Sequence, residues 1–183
     1  MLFRSGQVIF VRHAIEGEKV LVEITSANSK MARGDAIEIL IPSSDRVAAP
    51  CKYAGPGKCG GCDFLHITME KQLEFKTQVV KELFARIAKF EIEFKLHHVE
   101  PKDGLHWRTR VDFAVSKDGK IGFYSSRSNE VIPIDHCLAL VEPINELDIF
   151  TRTWRGEDRV EVAATNSSQV NVSRGGRTIE GQS

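Results

Sequence analysis

The stretch CKYAGPGKCGGC, residues 51–62, holds three of the four cysteines in a chain of 183 residues. Four glycines and a proline separate these thiols. A loop so rich in glycine can make tight turns and direct backbone amides toward sulfur. Four thiolates can bind zinc tetrahedrally or occupy the corners of an iron–sulfur cube. The stretch therefore predicts a metal centre, whose candidate ligands are Cys51, Cys59, Cys62 and Cys137.

The spacing of the cysteines favours a cluster but leaves other interpretations open. A zinc ribbon usually contributes two Cys-x-x-Cys knuckles from two hairpins, whereas here three cysteines share one loop and the fourth is distant. That arrangement suits an iron–sulfur cluster better than a single zinc ion. The alternatives are structural zinc, a redox or disulfide role for Cys59 and Cys62, and four buried cysteines without a ligand.

Composition bounds the class of protein. The chain is 42% hydrophobic, which is enough to form a core. Its 25 basic and 25 acidic residues cancel, so net charge neither supports nor excludes an RNA partner. No secretion signal and no apolar run of about eighteen residues occur, so we expect a soluble, cytoplasmic monomer that does not bind membranes. In a reducing cytosol, thiols persist for metal binding more readily than as disulfides.

The region before the cysteine loop has the pattern of a small β-module. Apolar runs alternate with turn signals over residues 6–41, which predicts short strands of a small barrel. The segment SANSKMARGD, residues 26–35, is interpreted as a turn between two of them. A polar turn bracketed by Pro42 and Pro50 indicates a boundary. We therefore expect two domains, over residues 1–46 and 47–183.

The region after the loop predicts one helix and an antiparallel sheet, which makes the fold class α+β. Apolar residues at helical spacing predict an amphipathic helix over 68–89 that packs on a sheet. Its apolar face comprises Leu73, Val80, Leu83, Phe84 and Ile87. Asp118-Gly119 between alternating segments predicts a hairpin over 107–124 with a type I′ turn. Further strands are expected at 129–134, 159–164 and 169–173, with a tail after them.

Several of these motifs together carry a family resemblance. The cysteine loop, followed by His66, Gln72 and Lys76, resembles the signature of bacterial RNA uracil-5-methyltransferases that carry a 4Fe-4S cluster. HWRTRVDFAV resembles the aromatic-Arg-x-Arg strand of that family, and IGFYSSRSNEVIPIDHC resembles its Gly-Phe strand and fourth cluster ligand. GQVIFVRHAIEGEKVLVEI is similar to the TRAM module, a small RNA-binding barrel. The resemblance covers most of residues 6–141 and implies a 4Fe-4S cluster on the four cysteines.

The resemblance also implies RNA as partner, ribosomal rather than transfer RNA. The candidate RNA contacts are Trp107, Arg108, Arg110, Arg127, Ser128, Lys76 and Gln72. Arg108 and Arg110 are two apart on a predicted strand, so they should share a face and can pair with phosphates or stack on a base. Trp107 and Phe113 are stacking candidates on the opposite face. The alternatives are a solvated arginine face over a core, and simple turn chemistry for Arg127 and Ser128.

Family chemistry sets a limit on what this chain can do. In the family, a cysteine thiolate adds to C6 of uracil, C5 then attacks the methyl group of S-adenosylmethionine, and a base removes the C5 proton. If all four cysteines bind a cluster, no catalytic thiol remains, and no glycine-rich turn for the methyl donor is found. We expect an incomplete TRAM-like barrel and an iron–sulfur domain without the Rossmann-like methyltransferase domain. No catalytic or S-adenosylmethionine-binding residue is assigned. The alternative is a stand-alone RNA-binding iron–sulfur or zinc module without enzymatic activity.

Overall fold

The computed structural model describes residues 2–4, 7–97, 99, 101, 103–165, 169–174 and 177–182. Two compact units make up the chain. The first comprises the residues up to Pro56 together with Cys62–Leu96, and the second comprises Gly57–Gly61 together with the residues from His97 onward. The cysteine loop therefore contributes residues to both units.

The first unit is built on a four-stranded sheet. Its strands are β1 (Leu2–Arg4), β2 (Gln7–Arg12), β3 (Lys19–Ala27) and β4 (Met31–Ile41), in the order β1-β2-β4-β3. The β2–β4 pair is parallel and the other two pairs are antiparallel. Among the described residues, β1 and β3 are the edge strands and do not pair with each other. The sheet is therefore open, whereas the sequence predicts a barrel.

The turn between β3 and β4 is shorter than the sequence predicts. The strands continue through most of residues 26–35, and Cα pairing extends to Ala27 opposite Ala32. The reversal is completed by Asn28, whose side-chain oxygen accepts the backbone N–H groups of Lys30 and Met31, each at 2.9 Å. The interpretation of SANSKMARGD as one long turn is therefore wrong, because a single asparagine side chain is enough to close the hairpin.

The one long helix is confirmed, but its expected burial is not. Helix α1 spans Met69–Leu83, continues as a π-helical turn over Phe84–Ala88, and ends at Lys89 with φ 62°. None of the residues in α1 or the π-helical turn is buried, and Ile87 is 70% exposed. On the predicted apolar face, Leu73 and Val80 are only half-buried and Leu83, Phe84 and Ile87 are exposed, so the expected burial of the whole face is not found.

A polar anchor stabilises the first unit. The side chain of Glu18 is fully buried and makes a two-point ion pair with Arg46, in which Nη2 lies 2.6 Å from Oε2. Glu18 also accepts the backbone N–H groups of Ile15 and Ser43 at 2.8 and 3.0 Å. Arg46 in turn donates to the carbonyl of His13 at 2.7 Å. The anchor ties the turn before β3 to the segment after β4.

The second unit is built on a six-stranded antiparallel sheet of order β10-β9-β8-β5-β6-β7. Its strands are β5 (Arg110–Val115), β6 (Ile121–Tyr124), β7 (Val131–Pro133), β8 (Arg159–Ala164), β9 (Val170–Arg174) and β10 (Arg177–Gln182). A short helix α2 (Glu142–Asn145) and a 3-10 turn (Asp148–Phe150) connect β7 to β8. The sheet and the single long helix confirm the α+β class.

Two details of this sheet differ from the predictions. The β5–β6 hairpin is present, but positive φ is found only at Gly119, at 76°, and Ser116 pairs with Lys120 in a three-residue loop. The turn is therefore a type I turn with a glycine bulge rather than type I′. The expected tail is strand β10, which pairs with β9 in a hairpin. The glycine pair between β9 and β10, residues 175 and 176, lies outside the described residues.

The core of the second unit is apolar and closed. Phe113, Leu140, Ile144, Ile149 and Val160 have no exposed surface. The ring of Phe113 packs against those of Phe123 and Phe150 at centroid distances of 5.3 and 5.5 Å. In the described residues, no helix has the length and apolar character required to cross a membrane.

Candidate metal centre and RNA-contact residues

All four candidate ligands are described, each thiol is partly buried, and none is in a disulfide. Cys51 and Cys62 belong to the first unit, and Cys59 and Cys137 to the second. Across the described part of the chain, no three His, Cys, Asp or Glu side chains form a group that could hold a metal ion. The assignment of the four thiols as one ligand set is therefore still a prediction, and its fit depends on the chemistry of each donor.

Cys59 is fixed by the glycine that follows it. Cys59 forms an isolated antiparallel bridge with Ser125, and the N–H of Gly60 donates to the carbonyl of Tyr124 at 3.0 Å. A Cβ at Gly60 would lie 3.0 Å from both Cα and N of Ser126, so a side chain there meets backbone that cannot move cheaply. The N–H of Gly61 donates to the Sγ of Cys59 at 3.4 Å. Amide donors of this kind stabilise a thiolate ligand.

Cys137 is fixed by a residue that the sequence analysis missed. The N–H of Cys137 donates to Oδ1 of Asn145 at 3.1 Å, and Nδ2 of Asn145 donates back to the carbonyl of Cys137 at 3.1 Å. The same Nδ2 also donates to the carbonyl of Leu140 at 3.3 Å. No local motif marks Asn145, so only the fold reveals the contact.

Cys62 borders a cavity of about 220 Å³ that lies entirely within the first unit. His13, Arg46 and His66 also border it, together with apolar side chains. Burial, followed by the nearby charges of Arg46 and His13, lowers the pKa of His66 to about 4, so the imidazole is neutral near pH 7. In the part of the chain that is described, Nε2 of His66 is buried and has no hydrogen-bond partner.

The donor chemistry fits a thiolate-bound metal group. None of the four cysteines is in a disulfide, each is partly buried, and the Cys59 sulfur receives an amide N–H. Soft thiolate ligands select zinc or iron–sulfur clusters over hard cations. Cys59 and Cys62 are not joined by a disulfide.

The predicted RNA-contact residues of the β5 region separate into two groups. Phe113 is fully buried and cannot stack on a base, whereas Trp107 is 53% exposed. The expectation that these aromatics share a face is wrong, because β5 begins only at Arg110 and Trp107 lies ahead of its alternation. The guanidinium carbon of Arg108 lies 5.1 Å from the centroid of the Trp107 ring, a cation–π contact. Arg110 is exposed on the strand.

Among the other candidate RNA contacts, some side chains already make hydrogen bonds within the chain and others are exposed. Arg127 is exposed and has φ 56°, a conformation typical of turns. Ser128 accepts the N–H of Glu130 on its Oγ at 3.0 Å, which is turn chemistry. Gln72 donates its side-chain N–H groups to the carbonyls of Phe64 and Ile67 at 3.1 and 3.0 Å. This contact holds the loop before α1. Lys76 is exposed on α1.

Comparison with known proteins finds relatives that are named RNA methyltransferases. It is 43% identical over 177 residues to an uncharacterized RNA methyltransferase of Streptomyces coelicolor, covering 90% of this chain and 39% of that protein. It is 33% identical over 148 residues to the 23S rRNA (uracil(1939)-C(5))-methyltransferase RlmD of Shewanella amazonensis, covering 78% of this chain and 33% of that protein. No family model matches the chain.

A solved structure supports the fold. The crystal structure of Pyrococcus abyssi tRNA (uracil-54, C5)-methyltransferase with S-adenosyl-L-homocysteine superposes with a TM-score of 0.58 at 22% identity, over 95% of this chain and 42% of that one. The chain therefore shares its fold with part of that structure. By sequence, the chain belongs to the RNA methyltransferase family that includes RlmD. It spans about two fifths of the length of the first curated relatives that it matches, 39% and 41%.

Proposed function

We propose that this chain is the RNA-recognition portion of an S-adenosylmethionine-dependent RNA uracil-5-methyltransferase that acts on ribosomal RNA. The observation that carries this proposal is the 33% identity over 148 residues to RlmD, whose name specifies a uridine of 23S rRNA. The Cys-Gly-Gly-Cys loop and the exposed Trp107 and Arg110 lie within the region that resembles this family. The first sheet, β1–β4, is proposed to be the TRAM-like module.

Cys51, Cys59, Cys62 and Cys137 are proposed to hold a 4Fe-4S cluster. When bound, such a cluster contributes ligation free energy that stabilises the surrounding fold. The chain itself orients the ligands: Gly60 allows the close approach of Cys59 to the end of β6, and Gly61 donates an amide N–H to the Cys59 sulfur. The role proposed for the cluster is structural.

This assignment determines what chemistry the chain can perform alone. Attack on C6 of uracil needs a thiolate. The chain has four cysteines, and the proposed cluster uses all of them. We therefore propose that this chain binds RNA and that methyl transfer depends on a catalytic thiol and a methyl-donor site provided elsewhere in a full-length enzyme.

Trp107, Arg108 and Arg110 are the proposed centre of RNA contact in the second unit. An exposed indole offers a face on which an unpaired base can stack, and the Arg108 guanidinium already stacks on the same ring. Arg110 points into solvent, where it can pair with a phosphate. Lys76 and Arg127 are exposed cations that can add phosphate contacts, each within its own unit.

The test is a titration of the chain with a fluorescently labelled, uridine-containing RNA hairpin from 23S rRNA, followed by anisotropy. Trp107→Ala should weaken binding about 5- to 150-fold, since one base–aromatic stack contributes about 1–3 kcal/mol. Arg110→Ala should weaken binding less and reduce its salt dependence. Arg177→Ala, an exposed arginine three strands away from β5 in the sheet, is the matched control and should change little.

Two outcomes would contradict the proposal. If the wild-type chain binds the RNA hairpin no more tightly than DNA of the same sequence, the proposed role in RNA recognition is contradicted. Transfer of tritium from labelled S-adenosylmethionine to RNA by this chain alone would refute the claim that no catalytic thiol remains. Binding of RNA without any transfer, lost in Trp107→Ala, is the expected result.

A further inference from the structure

The backbone around Cys137 is held by one side chain rather than by secondary structure. Cys137 lies between β7 and α2, outside any regular element. Its N–H and its carbonyl oxygen are both bonded to the carboxamide of Asn145, each at 3.1 Å. The Leu140 N–H also donates to the Cys137 carbonyl, at 3.0 Å. The two polar groups on either side of the cysteine are thus fixed together.

Only a carboxamide at position 145 can make this set of bonds. Asn145 uses its one acceptor atom for the Cys137 N–H and its NH₂ group for the carbonyls of Cys137 and Leu140. An aspartate keeps the acceptor but loses the donors, and an apolar side chain loses both. Because φ and ψ of Cys137 are restrained from both sides, the direction of its Cα–Cβ bond is restrained as well.

The residue that makes the bonds is itself rigidly placed. Asn145 is the last residue of α2, and its neighbour Ile144 has no exposed surface. Leu140, at the other end of the turn, is also fully buried. The Asn145 carboxamide is therefore held in place by the apolar core of the second unit. Its hydrogen bonds in turn restrict the backbone of Cys137.

We propose that Asn145 is the positioning residue for Cys137, and that its carboxamide orients this thiol as a metal ligand. The inference rests on the proposed iron–sulfur site. Cys137 is remote from the other three cysteines in sequence and lies outside any strand, so the direction of its side chain depends on contacts of this kind. Residues that orient ligands from behind typically change metal affinity about 10- to 100-fold when they are mutated.

The experiment has one measurement without metal and one with it. In the reduced, metal-free chain, the rate of alkylation of each cysteine by iodoacetamide is followed by peptide mass spectrometry. Asn145→Leu should change the Cys137 rate several-fold and leave the Cys51 rate unchanged. In the iron-loaded chain, the same variant should lose iron to a chelator about 10- to 100-fold faster. Asn145→Asp should fall between wild type and Asn145→Leu in both measurements. Asn171→Ala, at an exposed position of β9, is the control.

The outcomes separate this inference from the proposed function. A wild-type chain that binds no iron would refute the cluster but leave the alkylation measurement as a test of the contact itself. If both Asn145 variants show the same Cys137 alkylation rate and the same iron retention as wild type, the positioning role is overturned. If Asn145→Leu does not fold, as judged by circular dichroism, Asn145→Asp decides: unchanged Cys137 reactivity and iron retention in a folded Asn145→Asp would overturn the proposal.

Discussion

The two units of this chain are stabilised in different ways. The second unit closes an apolar core in which Phe113, Leu140 and Val160 have no exposed surface. The first unit has an open sheet, a helix with no buried residue, and a fully buried Glu18 paired with Arg46. The contrast shows that one chain can combine a unit with a closed apolar core and a unit in which a buried ion pair adds to a smaller set of buried apolar residues. The predictions below test whether this difference is real.

The largest effect is expected from truncating the core of the second unit. Phe113→Ala removes a ring that packs against Phe123 and Phe150, and it should lower the free energy of unfolding by about 3–5 kcal/mol. Both tryptophans, Trp107 and Trp154, belong to the second unit, so urea denaturation followed by tryptophan fluorescence monitors this unit. A loss below about 1 kcal/mol would contradict the closed core.

A somewhat smaller effect is expected from breaking the anchor of the first unit. Glu18→Gln leaves Arg46 without its charge partner and should cost about 3 kcal/mol at pH 7. Urea denaturation followed by circular dichroism at the helix band reports on α1, the long helix of the first unit. Glu16→Gln, at an exposed position two residues away, is the matched control and should be nearly neutral. Equal effects of the two variants would contradict the anchor.

The same pair predicts a pH dependence. Burial alone would raise the pKa of Glu18, but the hydrogen bonds and charge of Arg46 and the amides of Ser43 and Ile15 outweigh it and lower the pKa to about 2. A carboxyl with a lowered pKa stabilises the fold fully above its unfolded value, 4.5, and loses that contribution as pH falls toward 2. Stability of the first unit should therefore decline between about pH 5 and 2 in wild type. Glu18→Gln should flatten that decline, and an identical pH profile in both proteins would contradict the prediction.

An intermediate effect is expected at the glycine after Cys59. Gly60→Ala places a Cβ 3.0 Å from backbone atoms of Ser126 and should destabilise the second unit by about 1–3 kcal/mol. Gly61→Ala is the control, because its Cβ would meet only the Cys59 sulfur, at 3.4 Å. Tryptophan fluorescence in urea compares the two variants. A Gly60→Ala protein as stable as Gly61→Ala would show that the close approach at β6 is not required.

The smallest effect is expected on the helix of the first unit. Ile87 is 70% exposed, so Ile87→Ala should change stability by less than about 0.5 kcal/mol. Truncation to alanine should therefore lower the free energy of unfolding most at Phe113 and hardly at all at Ile87. A loss above about 2 kcal/mol, measured by circular dichroism in urea, would mean that this face is covered in solution.

Elements whose structure follows from a local pattern could be predicted from the sequence. Strand β8 and helix α1 follow from alternation and helical spacing within a few residues. Two contacts were not predicted: the local bonds from Lys30 and Met31 to the Asn28 side chain, which close a hairpin, and the pairing of Glu18 with Arg46 across 28 positions. Three of the four candidate ligands were visible in the loop, whereas Asn145 could be found only after the fold brought it to Cys137.

The most direct test of the proposed metal centre is anaerobic purification of the chain, followed by iron, sulfide and zinc analysis and an absorbance spectrum at about 400 nm. Wild type and Cys137→Ser should be compared. The proposal predicts about four irons with matching sulfide per wild-type chain, and loss or destabilisation of that cluster in Cys137→Ser. About one zinc per chain, or no metal in either protein, would contradict the assignment of Cys51, Cys59, Cys62 and Cys137 to an iron–sulfur cluster.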